Sequence, residues 1–169
     1  MLSSINFLSL NVGMSASLAG LLSLISAHGL DLIFLQEVRL TSEQINLLLG
    51  GLGFQAEVNI DPDNPSRPGT AIAWRKNLPV CDVSPIVCCR AQVATLGCYR
   101  LLNLYAPSGS DKKHERNVFF GQDVLEALTL HHEAAWVIGG DFNCVLKSVD
   151  VEGGVGFSQK FLSRVEGSG

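Results

Sequence analysis

Charge is scarce in this chain. Asp, Glu, Lys and Arg make up 17% of its 169 residues against 47% apolar, a balance that excludes a disordered polar chain and predicts a packed core. The net charge is −4. That excludes a strongly basic coat for nucleic acid, although an acidic metal site can sit inside a locally basic groove. Cys-x-x-Cys spacing is absent, and the five cysteines (Cys81, Cys88, Cys89, Cys98 and Cys144) are odd in number. Neither a disulfide framework nor a zinc cluster is therefore indicated, and reduced, mostly buried thiols of an intracellular protein are expected. No apolar run reaches membrane-spanning length. No basic segment precedes an apolar one at the amino terminus, so no secretory signal is expected. Internal repeats are also missing.

What is present is a series of short apolar runs separated by turn chemistry. The length suits one domain with a sizeable core. Ile5 to Asn11 alternates and reads as a strand. Leu18, Leu21, Leu22 and Ile25 recur at helical spacing, with Gly29 where a helix would stop. Leu32 to Leu35 reads as a buried strand ending at Gln36-Glu37. Thr41-Ser42-Glu43-Gln44 offers a capping box for a helix through Leu49, closed by Gly50-Gly51. Phe54 to Val58 and Thr70 to Trp74 are strand-like and flank a Pro- and Asp-rich loop from Asp61 to Gly69. Val83 to Leu96 and Cys98 to Tyr105 are expected as two strands joined around Gly97. Ala106 to Lys113 is expected as a loop, and His114 is also expected in a loop. Arg116 to Leu130 follows as a helix with Val118, Phe119, Gln122, Leu125 and Leu128 on one face. Ala135 to Gly140 is the last strand. Beyond Val149 the sequence turns glycine-rich. Strands with intervening helices predict an α/β sandwich.

Four of the apolar runs end in polar residues: Asn11, Gln36-Glu37, Tyr105, and Asp141 with Asn143. If these strands share one rim, their tips line one cleft. Glu37 is placed to hold Mg²⁺, an ion that prefers oxygen ligands and keeps several waters. Asn11 would orient that carboxylate, and Tyr105 would donate to a phosphate oxygen. Asp141 would orient or deprotonate an attacking water. Asn143, two residues on along an extended segment, would point the same way and hold the phosphate. The chemistry would be metal-assisted attack on a phosphodiester. Each residue alone also fits a plain turn or rim role; the ordered set is what carries the weight. Lys112, Lys113 and Arg116 form a small basic group suited to phosphates. The loops Asp61 to Arg67 and Ser108 to Lys113 are candidates for shaping target preference.

Leu10-Asn11, Leu35-Gln36-Glu37, Asn103-Leu104-Tyr105-Ala106-Pro107 and Gly140-Asp141-Phe142-Asn143 follow one another in a telling order. In that order and rough spacing the chain resembles the exonuclease–endonuclease–phosphatase family. Within it, the chain is similar to the apurinic/apyrimidinic-type endonuclease domain of LINE-type (non-LTR) retrotransposons. Arg67 to Ala73 and Leu146 to Asp150 are further echoes. The resemblance covers about residues 4–152, leaving 153–169 as a glycine-rich tail. It implies a four-layer, DNase I-like α/β sandwich, here expected to be incomplete at the carboxyl end. It also implies Mg²⁺-dependent (or Mn²⁺-dependent) nicking of DNA, with DNA as partner and the nucleus as the place of work on genomic DNA. The family roles fall on Asn11, Glu37, Tyr105, Asp141 and Asn143. One departure stands out: such domains carry a terminal Ser-Asp-His motif, and no Ser-Asp-His occurs here. His28, His114, His131 and His132 do not match its position. Two other outcomes stay open, a non-catalytic remnant and a phosphoesterase acting on small molecules or phosphoinositides.

Overall fold

A computed structural model describes residues 4–13 and 18–144 of the chain. The expected domain end at 152, the Leu146 to Asp150 segment and the tail from 153 to 169 lie outside those residues, as does the side chain of Leu18. Strands and helices alternate first: β1 (Phe7–Asn11), α1 (Leu18–His28), β2 (Leu32–Val38), α2 (Ser42–Gly50), β3 (Phe54–Asn59) and β4 (Gly69–Arg75). Then come β5 (Val80–Val87), β6 (Ala91–Leu96) and β7 (Tyr99–Tyr105), a helical run, and β8 (Ala135–Asp141).

Local chemistry explains several of these boundaries. The capping box forms at α2: Thr41 Oγ1 accepts from the Gln44 N–H at 3.3 Å, and Gln44 Oε1 accepts from the Thr41 N–H at 2.9 Å. Gly29, at φ +56°, ends α1 in the left-handed region where a Cβ is costly.

The strands form two four-stranded sheets, β1-β2-β4-β3 and β5-β6-β7-β8. The β1–β2 and β7–β8 pairs are parallel and the others antiparallel. Strand alternation then assigns each side chain to a face. Ile33, Leu35, Val38, Ala71 and Ala73 pack with Leu21 and Ile25 of α1 and Ile45 and Leu49 of α2. On the opposite face, Leu32, Phe34, Ile72 and Trp74 meet Leu78, just before β5, and Ala94, Leu96 and Leu101 of the second sheet. Helices, sheet and sheet are thus layered as an α/β sandwich, the architecture the sequence predicts. All of this belongs to one compact body, the chain up to Tyr105 together with Ala134–Asp141. A second body holds Ala106–Glu133 and, among the described residues after Asp141, Phe142 to Cys144. It contains α3 (Lys113–Val118), a π-helical stretch Phe119–Val124 and α4 (Leu125–Leu130).

Four expectations are corrected. The single strand over Val83 to Leu96 is two strands, β5 and β6, folded back on each other at Cys88-Cys89-Arg90. No glycine, proline or asparagine marks that turn. Cys89 adopts φ +61° there, and its N–H is held at 3.0 Å by the side-chain oxygen of Asn59 on β3, so the turn is fixed by a residue distant in sequence. The helix from Arg116 on begins at Lys113, so His114 is helical rather than in a loop. Of the predicted face the central π turn buries Phe119, but with Phe120 and Val124 rather than Gln122; the five-residue step from 119 to 124 is π spacing. Finally, the thiols are mostly on the surface: Cys89 is buried, and Cys81, Cys88, Cys98 and Cys144 are exposed.

Candidate active site

The two sheets bring the polar strand ends to a common rim. Leu8 and Leu10 of β1 and Val12 just after it pack under the helices, so Ser9 and Asn11 take the face toward the second sheet. On β7, Leu101, Asn103 and Tyr105 share the facing side. On β8 the same side holds Val137, Gly139 and Asp141. Tyr105 and Asp141 are direct register partners in parallel strands. Gly139 makes room for the edge-on pair of Phe7 and Phe34, whose ring centroids are 4.8 Å apart; a Cβ at Gly139 would come within 2.9 Å of Phe7 and 3.0 Å of Phe34.

Glu37 reaches this face by a break in alternation. Leu35 and Val38 both pack under the helices, which is one residue too many for a regular strand. The pairing of β2 with β4 shifts between Gln36 and Val38, and Glu37 takes φ +59°. This is a β-bulge, and it lets Gln36 and Glu37 both look toward the second sheet. Gln36 is buried and donates from Nε2 to Asn103 Oδ1 at 2.8 Å. Asn103 in turn donates from Nδ2 to the carbonyls of Leu35 (3.0 Å) and Ala71 (2.8 Å). This buried polar layer crosses between the sheets just beneath the rim. Such groups are expensive to bury unless satisfied, so the layer fixes the register of one sheet against the other.

Above it, Asn11 joins two acids. Its Nδ2 donates to Glu37 Oε1 at 3.0 Å and to Asp141 Oδ2 at 2.8 Å. Its Oδ1 accepts from the N–H of Gly13 at 2.9 Å, which pins the amide so that the NH₂ faces the carboxylates. The Tyr105 hydroxyl donates to the same Glu37 oxygen at 3.2 Å. The Tyr105 ring is covered by the guanidinium of Arg90, 4.7 Å from its centroid. Two carboxylates thus converge on one amide, with donors gathered on a single oxygen of Glu37. The donor set suits a hard divalent ion such as Mg²⁺, which takes one or two carboxylates and fills its shell with water and substrate phosphate. Among the described residues no group of three or more His, Cys, Asp and Glu side chains assembles, so an all-protein cage is not on offer.

The structure therefore brings Asn11, Glu37, Tyr105 and Asp141 together. Asn143 departs from the extended geometry expected of it: β8 ends at Asp141, and Asn143 adopts φ +45°. It belongs to the second body, where its Nδ2 donates to the carbonyl of Ala106 at 2.7 Å and its neighbour Phe142 stacks on Phe120. The basic group is also in the second body. Arg116 donates to the carbonyls of Pro107 and Gly109, each at 2.7 Å, and Lys112 pairs with Glu115 at 2.6 Å, while Lys113 is exposed. Sequence reasoning missed the positioning roles of Gln36, Asn103 and Arg90. The parity break between Leu35 and Val38 was the available signal for the bulge.

A family model described as the Endonuclease/Exonuclease/phosphatase family matches residues 8–158, and the chain belongs to that family. No curated protein matches it. Among solved structures, the chain is similar to an AP endonuclease from Archaeoglobus fulgidus at 16% identity and a TM-score of 0.72, over 88% of this chain and 61% of that one. It is similar to the 3′ phosphatase NExo from Neisseria bound to product DNA hairpin at 18% identity and a TM-score of 0.73, over 87% of this chain and 61% of that one. It is also similar to ANGEL2, a 2′,3′-cyclic phosphatase, at 18% identity and a TM-score of 0.59, over 77% of this chain and 44% of that one. These likenesses show the shared fold. The chain spans about three fifths of the length of the first two.

Proposed function

We propose that the chain is a Mg²⁺-dependent phosphodiesterase that nicks DNA, of the kind found in LINE-type retrotransposons, acting on genomic DNA in the nucleus. The observation that carries this reading is the single amide of Asn11 shared by Glu37 and Asp141, with the Tyr105 hydroxyl on the same Glu37 oxygen. Members of the family generally use divalent metal ions. Glu37 would hold the ion, which supplies charge neutralisation at a phosphate oxygen.

The chain's own residues do the rest. Asn11 keeps the two carboxylates in register and apart from each other's lone pairs. Tyr105 fixes the rotamer of Glu37 and offers its hydroxyl to a phosphate oxygen when substrate arrives. Asp141 orients a water and takes its proton at a carboxylate oxygen. Lys112 and Lys113 meet backbone phosphates through charge alone.

The test is nicking of supercoiled plasmid with Mg²⁺ and with EDTA, beside Glu37→Ala. Nicking should require the metal and should fall by ~10²–10⁴ in the variant. A folded chain that leaves the plasmid intact would instead be a non-catalytic member of the family. Turnover of soluble phosphate esters without nicking would move the substrate class to small phosphoesters, the chemistry suggested by the likeness to a cyclic phosphatase.

A further inference from the structure

The β5–β6 turn places two adjacent thiols together in an otherwise unremarkable hairpin. Cys88 Sγ and Cys89 Sγ lie 3.7 Å apart, with Cys88 exposed and Cys89 buried. Nothing in the reaction proposed above uses them. The backbone around them is already committed: Cys89 sits at φ +61°, and Asn59 grips the turn from another strand. Asn59 Nδ2 donates to the carbonyls of Val87 (2.8 Å) and Ala91 (3.1 Å), while its Oδ1 accepts the Cys89 N–H. The next residue, Arg90, connects the turn to the site. Its carbonyl accepts the Tyr105 N–H at 2.7 Å, and its guanidinium lies over the Tyr105 ring. The Tyr105 hydroxyl ends on Glu37.

We propose that Cys88 and Cys89 form a reversible vicinal disulfide, and that its closure displaces Arg90 and so disturbs Tyr105 at the strand rim. The chemistry uses a small disulfide oxidant such as oxidised glutathione. The Cys88 thiolate attacks one sulfur of the oxidant and one glutathione thiolate leaves. Cys89 then loses its proton and attacks Cys88 Sγ, expelling the second glutathione thiolate. The chain loses two hydrogens and the oxidant becomes two reduced thiols. Adjacent Cα atoms sit ~3.8 Å apart, closer than the usual ~4.4–6.8 Å of a disulfide, so the ring must distort the turn and remains easy to reduce. Burial, and then its neighbour Cys88, push the Cys89 thiol up to about 11. Ring closure therefore speeds up about tenfold per pH unit between about pH 7 and 9, as the thiolate fraction rises.

The effect on catalysis rests on the function proposed above, whereas the disulfide itself does not, and the experiment separates them. A Cys81→Ser chain is treated with oxidised glutathione, remaining thiols are alkylated, and the tryptic peptide Asn77 to Arg90 is weighed; the substitution leaves it only Cys88 and Cys89. Amide exchange at Tyr105 is followed by NMR on the same sample. The expected result is loss of two hydrogens from that peptide, faster exchange at Tyr105, and reversal of both by dithiothreitol. The peptide of a Cys88→Ser companion should be alkylated in full. A glutathione adduct that persists on Cys88, linkage through Cys98 or Cys144, or closure with unchanged Tyr105 exchange would each overturn the proposal. Plasmid nicking by reduced and closed chains is then compared. A chain that nicks in neither state refutes the nuclease reading and leaves the redox result standing. Nicking that is equal in both states overturns the coupling.

Discussion

Glu37 occupies its place at a conformational cost. A residue with a Cβ at φ +59° sits in a region that costs ~1–2 kcal/mol relative to ordinary backbone. The bulge requires it, because only there does the carboxylate meet Asn11 and Tyr105. Replacing Glu37 by Gly relieves the strain and replacing it by Ala does not. Glu37→Gly should therefore be more stable than Glu37→Ala by about 1 kcal/mol in urea unfolding, with nicking lost in both. Equal stabilities would show that Glu37 does not hold the left-handed conformation. The four rim residues were legible in the sequence because each ends an apolar run, and strand ends are where a sheet delivers polar side chains. Gln36 and Asn103 were harder. A glutamine and an asparagine at strand positions look like surface, and only the facing sheet shows that they satisfy each other in a buried layer. The placement of Asn143 failed because an Asp-x-Asn spacing puts both side chains on one side only while the backbone stays extended.

Strand β8 illustrates how tightly one element can be specified. Gly140 lies at φ +143°, and a Cβ there would fall 2.1 Å from the carbonyl oxygen of Leu104 on the neighbouring strand. That atom is backbone and cannot swing aside. Gly140→Ala is expected to lose ~2–4 kcal/mol, read as a drop in urea midpoint. Gly51→Ala, where a Cβ meets nothing within 4 Å and φ is an ordinary −65°, should stay within about 1 kcal/mol of the parent. At this scale most strands were readable as short apolar runs, β1 from its alternation, and α2 from its capping box. The hairpin at Cys88-Cys89-Arg90 was not, because its turn is held by the side chain of Asn59 rather than by local turn residues. The π turn at Phe119–Val124 was hidden for a similar reason. A helical period read from apolar positions assumes one spacing throughout, and the burial of Phe119, Phe120 and Val124 follows another.

For the molecule as a whole, Asp123 of the helical body is one group through which pH acts on stability. Burial first, and then the charge of Glu126, raise Asp123 above the usual 3.8. A carboxyl raised on folding favours the folded state while it is protonated, and that contribution is lost as pH rises through the folded value. Asp123→Asn mimics the protonated form. Its thermal midpoint should exceed that of the parent at pH 7, and the gap should close as pH falls below 3.8. A gap that persisted in acid would assign the gain to something other than ionisation. The sandwich class was legible from the order of strands and helices, and the family from the order of four short motifs. What joins the molecule across its sheets was not, since those contacts link residues far apart along the chain. Asn11 and Asp141 are separated by 130 residues. At about 5–20 residues per second, a ribosome needs roughly 7–26 s between making one and making the other. The first sheet can close once β4 has emerged, long before β8 exists. Through that interval Asn11 and Glu37 of a nascent chain wait for a partner, and no interrupted translation product that stops short of β8 carries the assembled site.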